Sequence, residues 1–232
     1  EMANRDAIKK IEEFIPARRI LKDEPMSEHT SFRVGGPADA LVTVNDELEL
    51  AGVLRVLTAM EVEHMILGNG SNFLVSDDGY RGVFIRMGGD FLSVKVDPED
   101  KTRVTSGSAK VLSGLSNFLA ERGLSGFEFA SGIPGSVGGA VFMNAGAYGG
   151  EMKDVIESVK LMKPDGSEVF EVTNKEMCFG YRTSAVQKCG SIVLSDTFKF
   201  ERDEPDAIRA RVMELAEKRN AKQPTNMPSA GS

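Results

Sequence analysis

Apolar residues recur at helical spacing in four stretches of the chain. Ile8, Ile11 and Ile15 share one face of residues 5–15, and Leu50, Val53, Leu54 and Leu57 stand at i, i+3, i+4 and i+7 within 46–60. Leu112, Leu115, Phe118 and Leu119 mark residues 110–122, where Gly123 suits the left-handed position that ends a helix. The fourth, 205–219, opens with Pro205 and is predicted to bury Ile208, Val212 and Leu215. Lys218 and Arg219 fall at its negative dipole end. Short β-rich runs occupy 39–44, 64–67, 83–87, 92–96, 102–106, 155–163, 168–172 and 192–200. Pro164-Asp165-Gly166 predicts a hairpin over 155–172. Helices and strands alternate early, then strands dominate from about 83 to 200. This order predicts an α/β unit followed by an α+β unit, with a boundary near Gly88-Gly89.

Composition narrows the class. The 232 residues are 41% hydrophobic and 27% charged, which excludes a disordered chain, a collagen-like repeat and a disulfide scaffold. No apolar run approaches the roughly 20 residues of a membrane span, and the charged segment Glu1–Lys10 is no signal peptide. Cys178 and Cys189, without a C-x-x-C pattern, read as buried thiols in a reducing compartment. His29 and His64 are too few and too far apart to suggest a metal site. A net charge of -7 argues against a nucleic-acid coat and leaves room for an anionic small ligand. Together these features predict a soluble cytoplasmic chain, with Glu1 ahead of Met2 reading as a cloning scar.

Glycine is unevenly spread. Residues 131–150 hold 7 of the 24 glycines, at 132, 135, 138, 139, 146, 149 and 150. Such a stretch either lets backbone amides approach a ligand or simply turns tightly in a β-rich core. The run Leu67-Gly68-Asn69-Gly70-Ser71-Asn72 directly follows a predicted strand and can wrap its amides round a pyrophosphate. It is neither a P-loop nor a dinucleotide G-x-G-x-x-G, because Phe73 replaces the third glycine. His29–Pro37 offers hydroxyls, a cation and a glycine pair ahead of a strand. Arg182, within Phe179–Ser184, reads as a semi-buried guanidinium that needs a carboxylate or a ligand anion. Ser232 closes Pro228–Ser232, and no G-x-S-x-G elbow supports hydrolysis.

In this order the motifs H-T-S-F-R-V-G-G-P-A, L-G-N-G-S-N-F-L-V-S-D-D-G-Y-R-G-V, S-G-I-P-G-S-V-G-G-A-V-F-M-N-A-G-A-Y-G-G-E, F-G-Y-R-T-S and P-S-A-G-S closely resemble the UDP-N-acetylenolpyruvoylglucosamine reductase (MurB) family. The likeness runs from about His29 to Ser232. It implies an α+β, two-subdomain FAD-binding fold of the vanillyl-alcohol-oxidase (PCMH) type. The divisions would be 1–88, 89–200 and, from 201 to 232, the start of a substrate-binding domain. By matching position, Gly68, Asn69, Gly70, Ser71 and Asn72 would cradle the FAD pyrophosphate. Ser131, Gly132, Ile133, Pro134, Gly135, Ser136, Gly138 and Gly139, with Asn144, Ala145 and Gly146, would line its adenosine and flavin parts. Arg182 matches the active-site arginine and Ser232 the proton-donating serine. Tyr181 and Lys222 are matched to the substrate.

The family reaction so implied passes a hydride from NADPH to non-covalently held FAD and then to C3 of UDP-N-acetylglucosamine enolpyruvate, giving UDP-N-acetylmuramate for peptidoglycan. A fixed cation such as Arg182 stabilises the enolate charge, and a hydroxyl such as Ser232 protonates C2. Only 50 residues separate Arg182 from Ser232, so the capping insert of one family branch is expected to be absent. The chain ends at the serine, ahead of the family's C-terminal glutamate, so it is expected to be incomplete as an enzyme. Two alternatives stay open: another FAD-dependent oxidoreductase of this fold, for which His29 is the candidate for covalent attachment, and a non-catalytic flavin-binding fragment.

Overall fold

The computed structural model describes residues 2–223. The first half of the chain supplies α1 (Met2–Glu12), β1 (Ile20–Pro25), β2 (Pro37–Val44), α2 (Glu47–Ala59), β3 (His64–Leu67) and β4 (Tyr80–Met87). Their sheet runs β1-β2-β4-β3, with β2, β4 and β3 parallel and β1 antiparallel at the edge. Parallel neighbours need a crossover, which α2 provides between β2 and β3. Asp46 starts α2 by accepting the Glu49 amide at 2.8 Å. The period of two along β4 sends Val83 and Ile85 toward Ile8, Ile11, Leu50 and Leu54. Phe84 faces the other way, where Leu41 and Leu67 meet Met26 and Val75 from the loops.

The second half comprises β5 (Val94–Val96), β6 (Arg103–Gly107), α3 (Leu112–Glu121), β7 (Leu124–Ser125), α4 (Val137–Phe142), β8 (Gly146–Ala147), β9 (Gly150–Glu151), β10 (Ile156–Met162), β11 (Val169–Thr173), α5 (Val186–Cys189), β12 (Ile192–Lys199), β13 (Glu201–Arg202) and α6 (Pro205–Lys222). An antiparallel sheet in the order β11-β10-β12-β6-β5 packs α3 and α4 onto one face through Val104, Leu115, Val141, Val159 and Phe198. β10 and β11 are the hairpin expected over 155–172. Its turn abuts α2, where the Arg55 guanidinium donates to the Gly166 carbonyl at 3.2 Å. Met162, Ile192 and Leu194 join the first core and close the two layers into one body. Among the described residues no helix is long and apolar enough to cross a membrane.

Several local expectations are corrected. α1 stops at Glu12, and the buried Ile15 lies beyond it, because the residue before Pro16 is driven out of the helical region. β1 escapes the hydrophobic pattern as an exposed edge strand that pairs on one side only. Residues 89–92 form a tight helical turn, so β5 begins only at Val94. α4 forms inside the glycine-rich stretch, where Gly138 and Gly139 disguise it. Along α6 only Ile208 is buried. Val212 and Leu215 are half-buried, because this helix leans on α3 and the Glu128–Ala130 turn at a rim rather than crossing a sheet face. Cys178 and Cys189 are exposed, in the turn after β11 and at the end of α5.

Candidate functional site

Two glycine loops from different halves of the chain meet at the seam between the sheets. The first leaves the carboxyl end of β3, the side on which parallel sheets bind ligands. At Gly70 (φ +65°) a Cβ would stand 1.9 Å from the His29 carbonyl oxygen, so only glycine lets the turn pass under that segment. The Ser31 amide donates to the Gly70 carbonyl at 3.0 Å and fixes the turn from the same side. At Gly68 a Cβ would lie 2.7 Å from the Ser136 hydroxyl of the second loop. Ser71 Oγ donates to the Pro134 carbonyl at 3.2 Å. Gly68, Asn69 and Asn72 remain exposed along the cradle. The structure thus brings together the predicted 29–37, 68–72 and 131–139 segments.

Not every predicted side chain faces outward. Ser131 Oγ donates to the Glu128 carbonyl at 2.8 Å, and Ser136 Oγ accepts the Gly139 amide as the cap of α4. Ile133 packs on the second core. These residues can serve a ligand through backbone atoms and shape rather than through hydroxyls. Beside them stands Arg219 of α6, whose Cδ lies 3.4 Å from where a Gly132 Cβ would be. Nothing in its sequence context marks this neighbour, because α6 is joined to the loop only by tertiary packing.

The second half of the site is built on Asn144. It is buried at φ +43° and spends its whole side-chain amide on protein. Nδ2 donates to Glu151 Oε2 and to the Gly180 carbonyl, both at 2.9 Å, and Oδ1 accepts the Lys153 amide at 3.0 Å. Ser184 Oγ and Gln187 Nε2 donate to the Phe142 carbonyl at 2.7 and 2.9 Å. Gln187 also donates to the Arg182 carbonyl at 3.1 Å. Residues 180–187 are thereby pinned to the end of α4, and the Lys153 amide and Gln187, which complete this framework, lie outside the sequence motifs.

Arg182 is exposed rather than semi-buried, at φ +55°. Its Nη2 reaches the Gly146 carbonyl at 3.4 Å, and its guanidinium carbon lies 5.1 Å from the Tyr181 ring centroid. Among the described residues no carboxylate comes within ion-pair distance of it. Glu151 is the nearby anion: Lys153, the Asn144 amide and the field of Arg182 hold its carboxyl below the usual range. Tyr181 is 83% exposed, Lys222 is exposed in the last turn of α6, and Ser232 lies outside the described residues. A cleft of about 580 Å³ opens nearby between α6, the 125–129 segment and Tyr148–Gly150. Its cations are already paired, Arg211 with Glu128 and Asp203 and Lys218 with Glu214. The cleft therefore offers an anion less than the seam does. Among the described residues no cluster of His, Cys, Asp and Glu could hold a metal ion.

An FAD binding domain family matches residues 38–170, the span that contains both glycine loops. A UDP-N-acetylenolpyruvoylglucosamine reductase of Clostridioides difficile is 46% identical over all of this chain, which spans 75% of that relative's length. The chain belongs to the UDP-N-acetylenolpyruvoylglucosamine reductase family. The crystal structure of MurB from Thermus caldophilus superposes with a TM-score of 0.76 at 36% identity, covering 90% of this chain and 71% of that one. p-Cresol methylhydroxylase, at 16% identity and a TM-score of 0.63 over 88% of this chain and 44% of its own, shares the fold alone. The α+β flavin-binding architecture expected from the motifs is therefore the fold of this chain.

Proposed function

We propose that this chain carries the FAD-dependent reduction of UDP-N-acetylglucosamine enolpyruvate to UDP-N-acetylmuramate in peptidoglycan precursor synthesis, with NADPH as hydride donor. The observation that carries the reading is the seam itself. Two backbone-lined loops face each other across it through Ser71 and Pro134. Beside it, Asn144 and Gln187 hold Arg182, which has no carboxylate partner among the described residues. The residues present fit a dinucleotide flavin: glycine at 68 and 70 lets the loop run close beneath Ser136 and His29, and Gly68, Asn69 and Asn72 stay exposed along it. Bound there, the flavin supplies the hydride that adds to the enolpyruvyl carbon.

The chain's own groups do the rest. Backbone amides of Gly68–Asn72 bind the pyrophosphate, and the 131–139 and 144–146 turns shape the remainder of the cofactor site. Arg182 stabilises negative charge that develops on the substrate carboxylate end, and its exposure leaves that charge available. Tyr181 and Lys222 contact substrate, and Ser232 delivers the proton to C2. Attachment of the cofactor is non-covalent: His29 is unavailable as a nucleophile, since Arg86 donates to its Nδ1 and its Nε2 is held by Glu24, both at 2.7 Å. The use of NADPH and a nucleotide-sugar substrate points to a cytoplasmic location. The test is an absorbance spectrum before and after denaturation, followed by NADPH oxidation with and without the enolpyruvyl substrate. Releasable FAD and substrate-dependent turnover are expected. Flavin that stays on the denatured chain, or oxidation indifferent to the substrate, overturns the reading.

A further inference from the structure

One half-buried cation has no role in this scheme. Arg86 lies near the carboxyl end of β4 and pairs across the sheet with Leu67, the residue that leads into Gly68–Asn72. Alternation along β4 puts it on the face of Phe84, where Met26 and Val75 pack. Its Nη2 donates to His29 Nδ1 at 2.7 Å. Because a guanidinium only donates, that ring nitrogen accepts, and the proton on Nε2 goes to Glu24 Oε1 at 2.7 Å.

The arrangement is unusual for a structural arginine, which normally forks onto a carboxylate. Here the partner is a neutral ring nitrogen, and among the described residues no carboxylate lies within ion-pair distance of Arg86. Its other N–H groups have no protein acceptor among those residues either. Burial pushes the Arg86 pKa down, and the more distant Glu24 offsets that only in part. The cation is therefore oriented but not neutralised, at a cost an anion would relieve. The backbone of its partner also touches the cradle, since the His29 carbonyl is the atom that excludes a Cβ from Gly70. Backbone amides bring dipoles to a diphosphate but no net charge, which this guanidinium would add.

We propose that Arg86 supplies the cation for the diphosphate held by the Gly68–Asn72 loop, with His29 and Glu24 as the residues that position it. The inference rests on the reading of that loop as the FAD pyrophosphate site. The experiment is titration of FAD into the deflavinated protein at several salt concentrations, with ADP and phosphate-free adenosine as competitors. Arg86→Gln is expected to weaken FAD and ADP by about tenfold to a hundredfold, to flatten the salt dependence and to leave adenosine unchanged. Arg86→Lys keeps the charge without the fork and recovers part of the loss. Should Arg86→Gln not fold, Arg86→Lys and Glu24→Gln carry the same comparison, each expected to weaken ADP more than adenosine. Equal losses of ADP and adenosine, or wild-type affinity and salt dependence, would overturn the assignment. Gly68→Val, which adds bulk at the exposed start of the loop against Ser136 and away from His29, separates the two claims. If it binds FAD as wild type does, the loop reading fails. If it loses FAD while Arg86→Gln does not, the loop stands and Arg86 has no part in it.

Discussion

Asn144 offers the sharpest test of how the fold positions the reacting end of the site. Glycine is the informative replacement, because it accepts φ +43° without strain and so removes the side chain alone. Three hydrogen bonds are lost: to the Glu151 carboxylate, to the Gly180 carbonyl and from the Lys153 amide. Two neutral bonds at about 1 kcal/mol each and one to a charged acceptor at about 1.5–3 kcal/mol sum to about 3.5–5 kcal/mol. Glu151 keeps its lysine partner and glycine adds backbone entropy to the unfolded chain, so a net loss of about 4 kcal/mol is expected. Asn144→Ala should lose about 1 kcal/mol more for the left-handed backbone. Urea denaturation measures both. Loss of the tie at Gly180 frees the segment that carries Arg182, so reduction of enolpyruvyl substrate should fall further than reduction of flavin by NADPH. An Asn144→Gly protein within about 1 kcal/mol of wild type, with both half-reactions unchanged, would refute the reasoning.

Asp196 should make stability depend on pH. Its carboxyl is fully buried without a hydrogen-bond partner among the described residues, and burial raises its pKa well above the usual value. The folded chain holds this proton to a higher pH than the unfolded chain does, so rising pH opposes folding. Relative to Asp196→Asn, wild type should lose about 1.4 kcal/mol per pH unit above the usual carboxylate range until the buried group itself ionises. Parallel stability curves as pH rises above the usual carboxylate range would contradict this. Arg182→Lys, which keeps charge and loses the planar fork, should slow the substrate half-reaction in stopped flow more than the NADPH half-reaction; equal losses would remove its assigned role. In protein that extends beyond Ser232, Ser232→Ala should leave reduction of flavin by NADPH intact and cut its reoxidation by substrate about a hundredfold to ten-thousandfold, with Ser232→Cys retaining part. Unimpaired reoxidation in the alanine variant would sink the donor assignment.

The strongly periodic helices and strands and the glycine-rich segments of the candidate site were legible along the chain, for reasons that are local. Leu50, Leu54 and Leu57 must share a face whatever they pack against, and a glycine-rich turn after His64–Leu67 marks backbone that a side chain would not fit. Five spaced motifs then narrowed the family. What the chain could not disclose depends on partners distant in sequence. The exposure of Arg182 follows from Gln187 and Asn144 holding its segment at the surface, and α6 leaves Val212 and Leu215 half-buried because it meets a rim. The helix at 137–142 forms against its own glycines because Ser136 caps it and Val137 and Val141 are buried beneath it. The link between Glu24, His29 and Arg86 is made of contacts between residues 5 and 57 positions apart. Periodicity records which side of an element is apolar, but pairing between polar groups is settled only when the folded backbone brings them within hydrogen-bond reach.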